Sequence, residues 1–160
     1  MLRITLLTVG KVKEQYLRDG IAEYGKRLSR YCKLEILEVK DEKTPEGASE
    51  SLETQIKKKE ADRLLELIPE GSYVVALAIE GKKPDSLEFA RKLSELPARG
   101  VSHLIFVIGG SLGLHKSVTD RADELVSFSA MTFPHQLMQL IFLEQLYRGF
   151  RIINKEPYHK

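Results

Sequence analysis

Short apolar runs alternate with longer amphipathic segments along the whole chain. The runs are rich in β-branched residues and end near glycine or proline, which is typical of buried strands. They span residues 2–9, 34–39, 73–79, 103–108 and 125–129. Because strands that alternate with helices pair in parallel, the pattern predicts an α/β fold with a mostly parallel sheet and helices on both faces.

The segments between these runs repeat apolar residues at helical spacing. Helices are predicted over residues 14–31, 49–68, 118–123 and 134–150, with another whose first turn begins at Pro84. The last helix differs because its apolar residues cover nearly its whole circumference rather than one stripe. A small domain can rarely bury such a helix on every side with its own chain. We therefore expect a second copy to pack against it and form a homodimer.

Length and composition narrow the class of protein. The chain has 160 residues, 42% of them hydrophobic, which suits a single domain over residues 1–160. Its net charge of +2 is too small for a strongly basic polyanion binder, so contact with nucleic acid would require a local patch. It has one cysteine, no apolar run long enough for a membrane span, and no signal-peptide pattern. These features predict a cytoplasmic protein that has no membrane partner.

A glycine-rich turn follows the fourth apolar run. Gly109, Gly110 and Gly113 come at the carboxyl end of a parallel strand, where α/β sheets bind ligands because the backbone can approach closely. The spacing does not match the dinucleotide motif G-x-G-x-x-G. A turn that only requires positive φ is the simpler alternative. The turn is therefore a candidate site for a nucleotide-like ligand.

The same turn also spells G-x-S-x-G around Ser111, the nucleophile motif of serine hydrolases. Asp120 or Asp123 could supply the acid and His135 or His159 the base, in the chain order that this class requires. The chain is short for that fold, and no oxyanion segment of the HGGG type precedes the serine. A small hydrolase that acylates at Ser111 stays the rival from another reaction class.

Two pairs of lysines follow predicted strands. Lys11 and Lys13 come after the first strand, and Lys82 and Lys83 after the third. The carboxyl ends of parallel strands share one edge of the sheet, so these lysines could hold the phosphates of a large polyanion near the glycine turn. The four histidines lack the spacing of a zinc site, and no metal is expected.

The last helix and the tail contain a second set of polar residues. Glu144 and Arg148 are four residues apart, which predicts an ion pair, with anion recognition by the arginine as the alternative. The carboxyl-terminal tail would be frayed by default. Tyr158 and His159, however, are an aromatic ring and an imidazole side by side, which suits stacking on a base and moving a proton.

A set of ordered motifs resembles the RlmH family of SPOUT-class methyltransferases. The motifs are TVGK at 8–11, FVIGGS at 106–111, SFS at 127–129, MTFPHQ at 131–136, EQLYR at 144–148 and PYH at 157–159. They extend over essentially the whole chain, and their combination is far more specific than any one of them. The resemblance implies a homodimer and a deep trefoil knot near the carboxyl terminus. No periodicity could predict such a knot, because true knots are rare.

The resemblance also implies an activity. Members of this family transfer a methyl group from S-adenosylmethionine, without a metal, to N3 of a pseudouridine in 23S ribosomal RNA. The implied partner is this RNA within the large subunit or the whole ribosome, and not DNA. Without the resemblance, a hydrolase and a non-catalytic RNA-binding module would both stay open.

Site residues are implied by the same resemblance. The donor would lie among three loops that contain Leu77, Gly109, Phe128, Ser129, Ala130, Met131, Thr132 and Phe133. The reaction would depend on Arg148, Tyr158 and His159, with His159 as the base. Arg148 would stabilise the anionic nucleobase or position a phosphate, and Tyr158 would stack or hydrogen-bond. The tail of one subunit would act on the donor pocket of the other.

Overall fold

The computed structural model describes residues 1–160 and contains a five-stranded sheet. The strands are β1 (Arg3–Val9), β2 (Lys33–Val39), β3 (Tyr73–Lys82), β4 (His103–Ile108) and β5 (Glu124–Val126). They pair in the order β2-β1-β4-β3-β5, and every pair is parallel. The parallel α/β fold predicted from the alternation of apolar runs and amphipathic segments is confirmed.

Five helices cover the two faces of the sheet. They are α1 (Gln15–Leu28), α2 (Glu50–Glu66), α3 (Ser86–Ala98), α4 (Lys116–Arg121) and α5 (His135–Ile153). Successive strand residues point to opposite faces. Phe106 of β4 therefore packs with Phe142 and Leu146 of α5, whereas Ile105 packs with Leu64 of α2 on the other face. The larger core contains α1, α3 and α5, and the smaller one α2 and α4.

The start of α3 differs from the prediction. Pro84 does not form the first turn, because the helix begins at Ser86 and Asp85 is its cap. The Asp85 carboxylate accepts a hydrogen bond from the Glu88 backbone N–H at 2.8 Å. This bond satisfies one of the N–H groups that a helix leaves without a partner at its start.

The third strand is longer than predicted and irregular near its end. Both Leu77 and Lys82 are in register with Val126 of β5, so the residues between them bulge away from the ladder. A Cβ atom at Gly81 would lie 2.6 Å from the Leu125 carbonyl carbon and 2.6 Å from the Val126 nitrogen. Only glycine allows β3 to approach the backbone of β5 so closely.

One side of α5 supplies much of the larger core. Phe142, Leu143 and Leu146 are fully buried, whereas Leu140, Ile141 and other apolar residues of this helix are only partly buried. The chain therefore covers α5 incompletely, and the homodimer that its apolar circumference suggested stays a prediction. No helix of the protein is both long and apolar enough to span a bilayer.

We expect the substitution Gly81→Ala to destabilise the protein by about 2–3 kcal/mol, because the added Cβ meets backbone atoms that cannot turn aside. The free energy of unfolding in urea measures this effect. Gly25→Ala is the matched control, because a Cβ at Gly25 in α1 meets no atom within 4 Å. That change should stabilise the helix by about 1 kcal/mol. A Gly81→Ala protein as stable as the wild type would contradict the close approach of β3 and β5.

Candidate functional site

A cavity opens at the carboxyl ends of β3, β4 and β5. Its wall is formed by the end of β3, the glycine turn after β4 and the loop over residues 127–133, with the start of α5 at one side. Seven of the eight predicted donor-binding residues line it, namely Leu77, Gly109, Phe128, Ser129, Met131, Thr132 and Phe133. Ala130 is exposed and is not part of the lining. The fold thus brings together three segments that are far apart in the sequence.

The glycine turn folds tightly on itself. The Gly113 N–H donates to the Gly110 carbonyl at 3.0 Å, and Gly113 has a φ of +86°. A Cβ at Gly109 would lie 2.8 Å from the Gly113 carbonyl carbon and 2.9 Å from its oxygen. The turn therefore requires glycine for both positive φ and close approach, and it leaves backbone groups at the cavity wall.

The loop over residues 127–133 is held from within. The Ser127 hydroxyl donates to the Ser129 carbonyl at 2.9 Å, and the Ser129 hydroxyl accepts from the Met131 N–H at 2.9 Å. The Ser127 N–H donates to the Lys82 carbonyl at 2.7 Å. The Phe128 ring packs edge-on against Phe89 at 5.6 Å between centroids. Because these contacts fix the loop, its peptide groups reach the cavity already oriented.

The structure does not assemble the serine, histidine and aspartate that a hydrolase requires. Ser111 is exposed and forms no side-chain hydrogen bond with a histidine. The Asp120 carboxylate accepts from Lys116 Nζ at 2.6 Å, and the Asp123 carboxylate accepts from the Val74 N–H at 2.8 Å. A serine nucleophile requires a base within hydrogen-bond reach and an acid behind that base. The geometry therefore does not favour this class.

A second group of polar side chains lies where the tail docks on α5. The Glu144 carboxylate accepts from Arg148 Nη2 at 2.9 Å and from the Tyr158 hydroxyl at 2.6 Å. Arg148 Nη1 donates to His159 Nδ1 at 3.1 Å, and the guanidinium carbon lies 4.7 Å from the Tyr158 ring centre. The structure thus brings Arg148, Tyr158 and His159 together. We call these three residues and Glu144 the tail cluster. The ion pair predicted between Glu144 and Arg148 is present.

The tail itself is anchored rather than frayed. Arg151 Nη2 donates to the Pro157 carbonyl at 2.8 Å, and Arg151 Nη1 forms an ion pair with Glu156 at 2.7 Å. The Tyr158 ring packs edge-on against Tyr147, with 4.9 Å between centroids. The default expectation of a frayed end is therefore wrong, because contacts with Arg151 and Tyr147 hold the last residues on α5.

Electrostatics set the protonation of the tail cluster. Hydrogen bonding to Glu144 raises the pKa of Arg148, so this side chain stays a cation. Burial, followed by the hydrogen bond to Glu144, raises the pKa of Tyr158, so its hydroxyl stays protonated at neutral pH. A guanidinium can only donate, and His159 Nδ1 must therefore be the acceptor in their contact. The imidazole consequently has its lone pair on Nδ1 and its hydrogen on Nε2.

The cavity and the tail cluster lie near opposite ends of α5. His135, which lines the cavity, and Arg148 are separated by 13 helical positions. At a rise of 1.5 Å per residue, their backbones are about 20 Å apart. A single chain therefore does not bring these two groups of residues to one place.

A polar cleft of about 640 Å³ adjoins the cavity at the carboxyl ends of β1 and β2. Its lining includes Gly10, Lys11, Lys13, Glu38, Lys40, Asp41, His135 and Gln136. His135 lines both the cleft and the cavity. Lys82 and Lys83 lie elsewhere, in a depression next to α3 that also contains Glu88, Glu95 and Glu124. The two lysine pairs therefore do not share one surface, although both lie at the carboxyl ends of parallel strands.

The sequence did not predict that His135 lines both the cavity and the cleft. It belongs to the MTFPHQ motif, and the one side-chain role that the sequence predicts for it is that of a hydrolase base. In the structure it is half-buried, and burial lowers its pKa against the weaker opposing effect of Asp41. A Cβ at Gly10 would lie 3.6 Å from the Asp41 carboxyl carbon and 3.8 Å from His135 Nε2. The imidazole and the carboxylate therefore face the same gap at Gly10, and the imidazole is neutral at neutral pH.

Comparison with known proteins indicates the same class throughout. A family model described as "Predicted SPOUT methyltransferase" matches residues 2–159. Proteins named ribosomal RNA large subunit methyltransferase H are similar over 159 residues, which is 99% of this chain and 100% of each relative. Their identities are 60% in Bifidobacterium adolescentis, 56% in Acetivibrio thermocellus and 53% in Clostridium tetani.

A solved structure supports the fold. The crystal structure of a probable methyltransferase from Bordetella pertussis matches with a TM-score of 0.54 at 14% identity, over 92% of this chain and 96% of that one. At this identity the match concerns the fold alone. It agrees with the parallel α/β sheet described above.

The lowered pKa of His135 has a consequence for stability. The folded state disfavours protonation at this imidazole, so its contribution to stability is present above the usual pKa near 6.5 and is lost as the pH falls through the folded value. We expect the free energy of unfolding to fall from pH 7 to pH 5.5, and to fall less steeply in His135→Asn. Urea titrations at both pH values measure this. Burial also lowers the pKa of His103, which adds to the fall, and raises the pKa of Glu60, which opposes it, so the difference between the two proteins isolates His135. Parallel pH profiles for the two proteins would contradict the effect.

Proposed function

The chain belongs to the family of SPOUT methyltransferases that includes ribosomal RNA large subunit methyltransferase H, and from this membership we propose that it methylates 23S ribosomal RNA. The acceptor is N3 of a pseudouridine, the donor is S-adenosylmethionine, and the substrate is the assembled ribosome. One observation supports the proposal most strongly. In a chain of this family, three loops meet around one cavity at the carboxyl edge of the sheet. Such an enzyme would work in the cytoplasm, where ribosomes are.

The cavity residues fit a nucleoside donor. Nine of the sixteen residues that line the cavity are hydrophobic, which suits an adenine ring. Gly109, Gly110 and Gly113 of the turn line the cavity with backbone atoms alone, and peptide groups of the loop over residues 127–133 can hydrogen-bond the ring edge. When bound, S-adenosylmethionine supplies a methyl group activated by its sulfonium.

The tail cluster suits the acceptor half of the reaction. The imide N3 of pseudouridine must lose its proton as the N–CH₃ bond forms and the S–CH₃ bond breaks. We assign the proton to His159 Nδ1, which becomes free when Arg148 turns from the imidazole towards the nucleobase. The Arg148 guanidinium then stabilises the negative charge of the base. Tyr158 keeps its hydroxyl proton and therefore acts as a hydrogen-bond donor or a stacking surface rather than as a base.

The separation along α5 makes a second copy necessary for this reaction. The cavity and the tail cluster of one chain are about 20 Å apart along the helix axis, too far for direct methyl transfer between them. If the incompletely covered faces of α5 pair in a homodimer, the tail cluster of one protomer can approach the cavity of its partner. The dimer would then be a catalytic requirement.

The deep trefoil knot belongs to the same proposal. The close contact of Gly81 with the β5 backbone and the hydrogen bond from Ser127 to Lys82 support a tight crossing of the chain in this region. We propose that the loop over residues 127–133 and α5 pass through this crossing. A knot of this kind would fix the cavity-forming loops relative to one another.

Calorimetric titration with S-adenosylmethionine tests the donor site. The wild type should bind saturably, and Gly109→Arg should abolish binding because the new side chain would clash with the Gly113 backbone and displace the turn that forms the cavity wall. Leu77→Arg is a second variant in case the turn misfolds, and circular dichroism checks that each protein is folded. A folded wild type that binds no donor, but reacts with an acylating probe at Ser111, would overturn the proposal in favour of the hydrolase.

Subunit complementation tests the composite active site. We expect Gly109→Arg and Arg148→Ala each to lose ribosome methylation, the first through the donor cavity and the second through the tail cluster. When the two inactive proteins are mixed and allowed to exchange subunits, the heterodimer contains one site with an intact cavity and an intact tail. Recovered methyl transfer is the expected result. Failure to recover activity, or a monomeric mass by light scattering, would mean that one chain contains the whole site.

A further inference from the structure

We infer that the polar cleft at the carboxyl ends of β1 and β2 seats the RNA strand next to the target nucleotide, with Lys11, Lys13 and Lys40 at its phosphates. The inference rests on the proposed function, because it specifies how the substrate of that reaction is held. It assigns a binding role to a surface separate from both the donor cavity and the tail cluster.

The three lysines of the cleft are available for a ligand. Lys11, Lys13 and Lys40 are exposed, and none of their ammonium groups belongs to a salt bridge within the chain. Several other lysines are paired, such as Lys58 with Asp62 and Lys116 with Asp120. Unpaired ammonium groups around one concave surface are what successive backbone phosphates require.

The remaining lining favours ribonucleotides over a simple anion. Glu38 and Asp41 present carboxylates that can accept hydrogen bonds from ribose 2′-hydroxyl groups. Gln136 Oε1 already accepts from the Lys13 N–H at 3.1 Å, and its amide NH₂ forms no hydrogen bond within the chain and can donate to a ligand. A surface that combines cations, carboxylates and an amide matches a phosphate–ribose chain, which offers both acceptors and donors.

The position of the cleft connects it to the reaction. Its wall at His135 is also a wall of the donor cavity, so a strand in the cleft continues directly to the cavity mouth. Gly10 lacks a side chain between the Asp41 carboxylate and the His135 imidazole, which keeps the floor of the cleft open. Burial keeps the imidazole neutral, and it can therefore contact a nucleobase without adding a charge.

The other lysine pair does not offer an equivalent surface. Lys82 and Lys83 share their depression with Arg91, Lys92 and three glutamates, and Lys92 is already paired with Glu124. That depression lies beside α3 and does not include His135. The cleft at β1 and β2 is therefore the better match for the acceptor strand.

Charge reversals at opposite ends of β2 test the inference. Lys40→Glu changes the cleft, whereas Lys33→Glu makes the same change in net charge at the amino end of the same strand. Lys13→Glu is the second cleft variant. We expect KM for ribosome methylation to rise roughly tenfold in each cleft variant and to be unchanged in Lys33→Glu, with donor affinity by calorimetry equal in all four proteins.

Salt dependence distinguishes phosphate contact from a general charge effect. The slope of log(kcat/KM) against log salt should become shallower by about 0.7 for each cleft lysine reversed. The inference would be overturned if Lys33→Glu lost as much kcat/KM as the cleft variants. It would also be overturned if the wild type were active and the cleft variants kept its full kcat/KM. A wild type that binds the donor yet methylates no ribosomal RNA would instead overturn the proposed function, so the two failures are distinguishable.

Discussion

Parallel pairing of all five strands is the constraint on which the rest of the structure depends. It places every strand-to-helix loop at one edge of the sheet, so the glycine turn, the end of β3 and the loop after β5 meet although they are distant in the sequence. The same geometry places the loops after β1 and β2 beside them, around the polar cleft. The proposed donor cavity and the cleft are thus neighbours because all strands point the same way and because β1 pairs with β4.

Glu144 organises the tail cluster. Its carboxylate accepts from both Arg148 and Tyr158, and Arg148 in turn contacts His159. One acidic residue on a largely apolar helix therefore orients three side chains, two of which belong to the tail. The raised pKa of Tyr158 follows partly from the same bond, which excludes this phenol as a base at neutral pH.

Sequence patterns predicted the elements of the fold better than their ends. The apolar run at residues 103–108 coincides with β4, because a buried strand must be apolar on both faces. The prediction that α3 begins at Pro84 was wrong because Asp85 caps the helix, which begins at Ser86. The extension of β3 to Lys82 and the docking of the tail depend on long-range contacts, such as that of Tyr31 with Glu156, which local periodicity does not contain. The site residues came from family resemblance, whereas the cleft required the sheet order that brings Lys13 and Lys40 together.

The proposed reaction makes the length of α5 a functional parameter. This helix has a cavity residue, His135, at its first position and Arg148 of the tail cluster near its end. Deleting one residue between them would turn the tail cluster by about 100° around the helix axis as well as shorten the span by about 1.5 Å. In the proposed reaction, α5 therefore tolerates substitutions on its surface but not insertions or deletions. Its length and its number of turns together set the position of the tail cluster relative to the cavity.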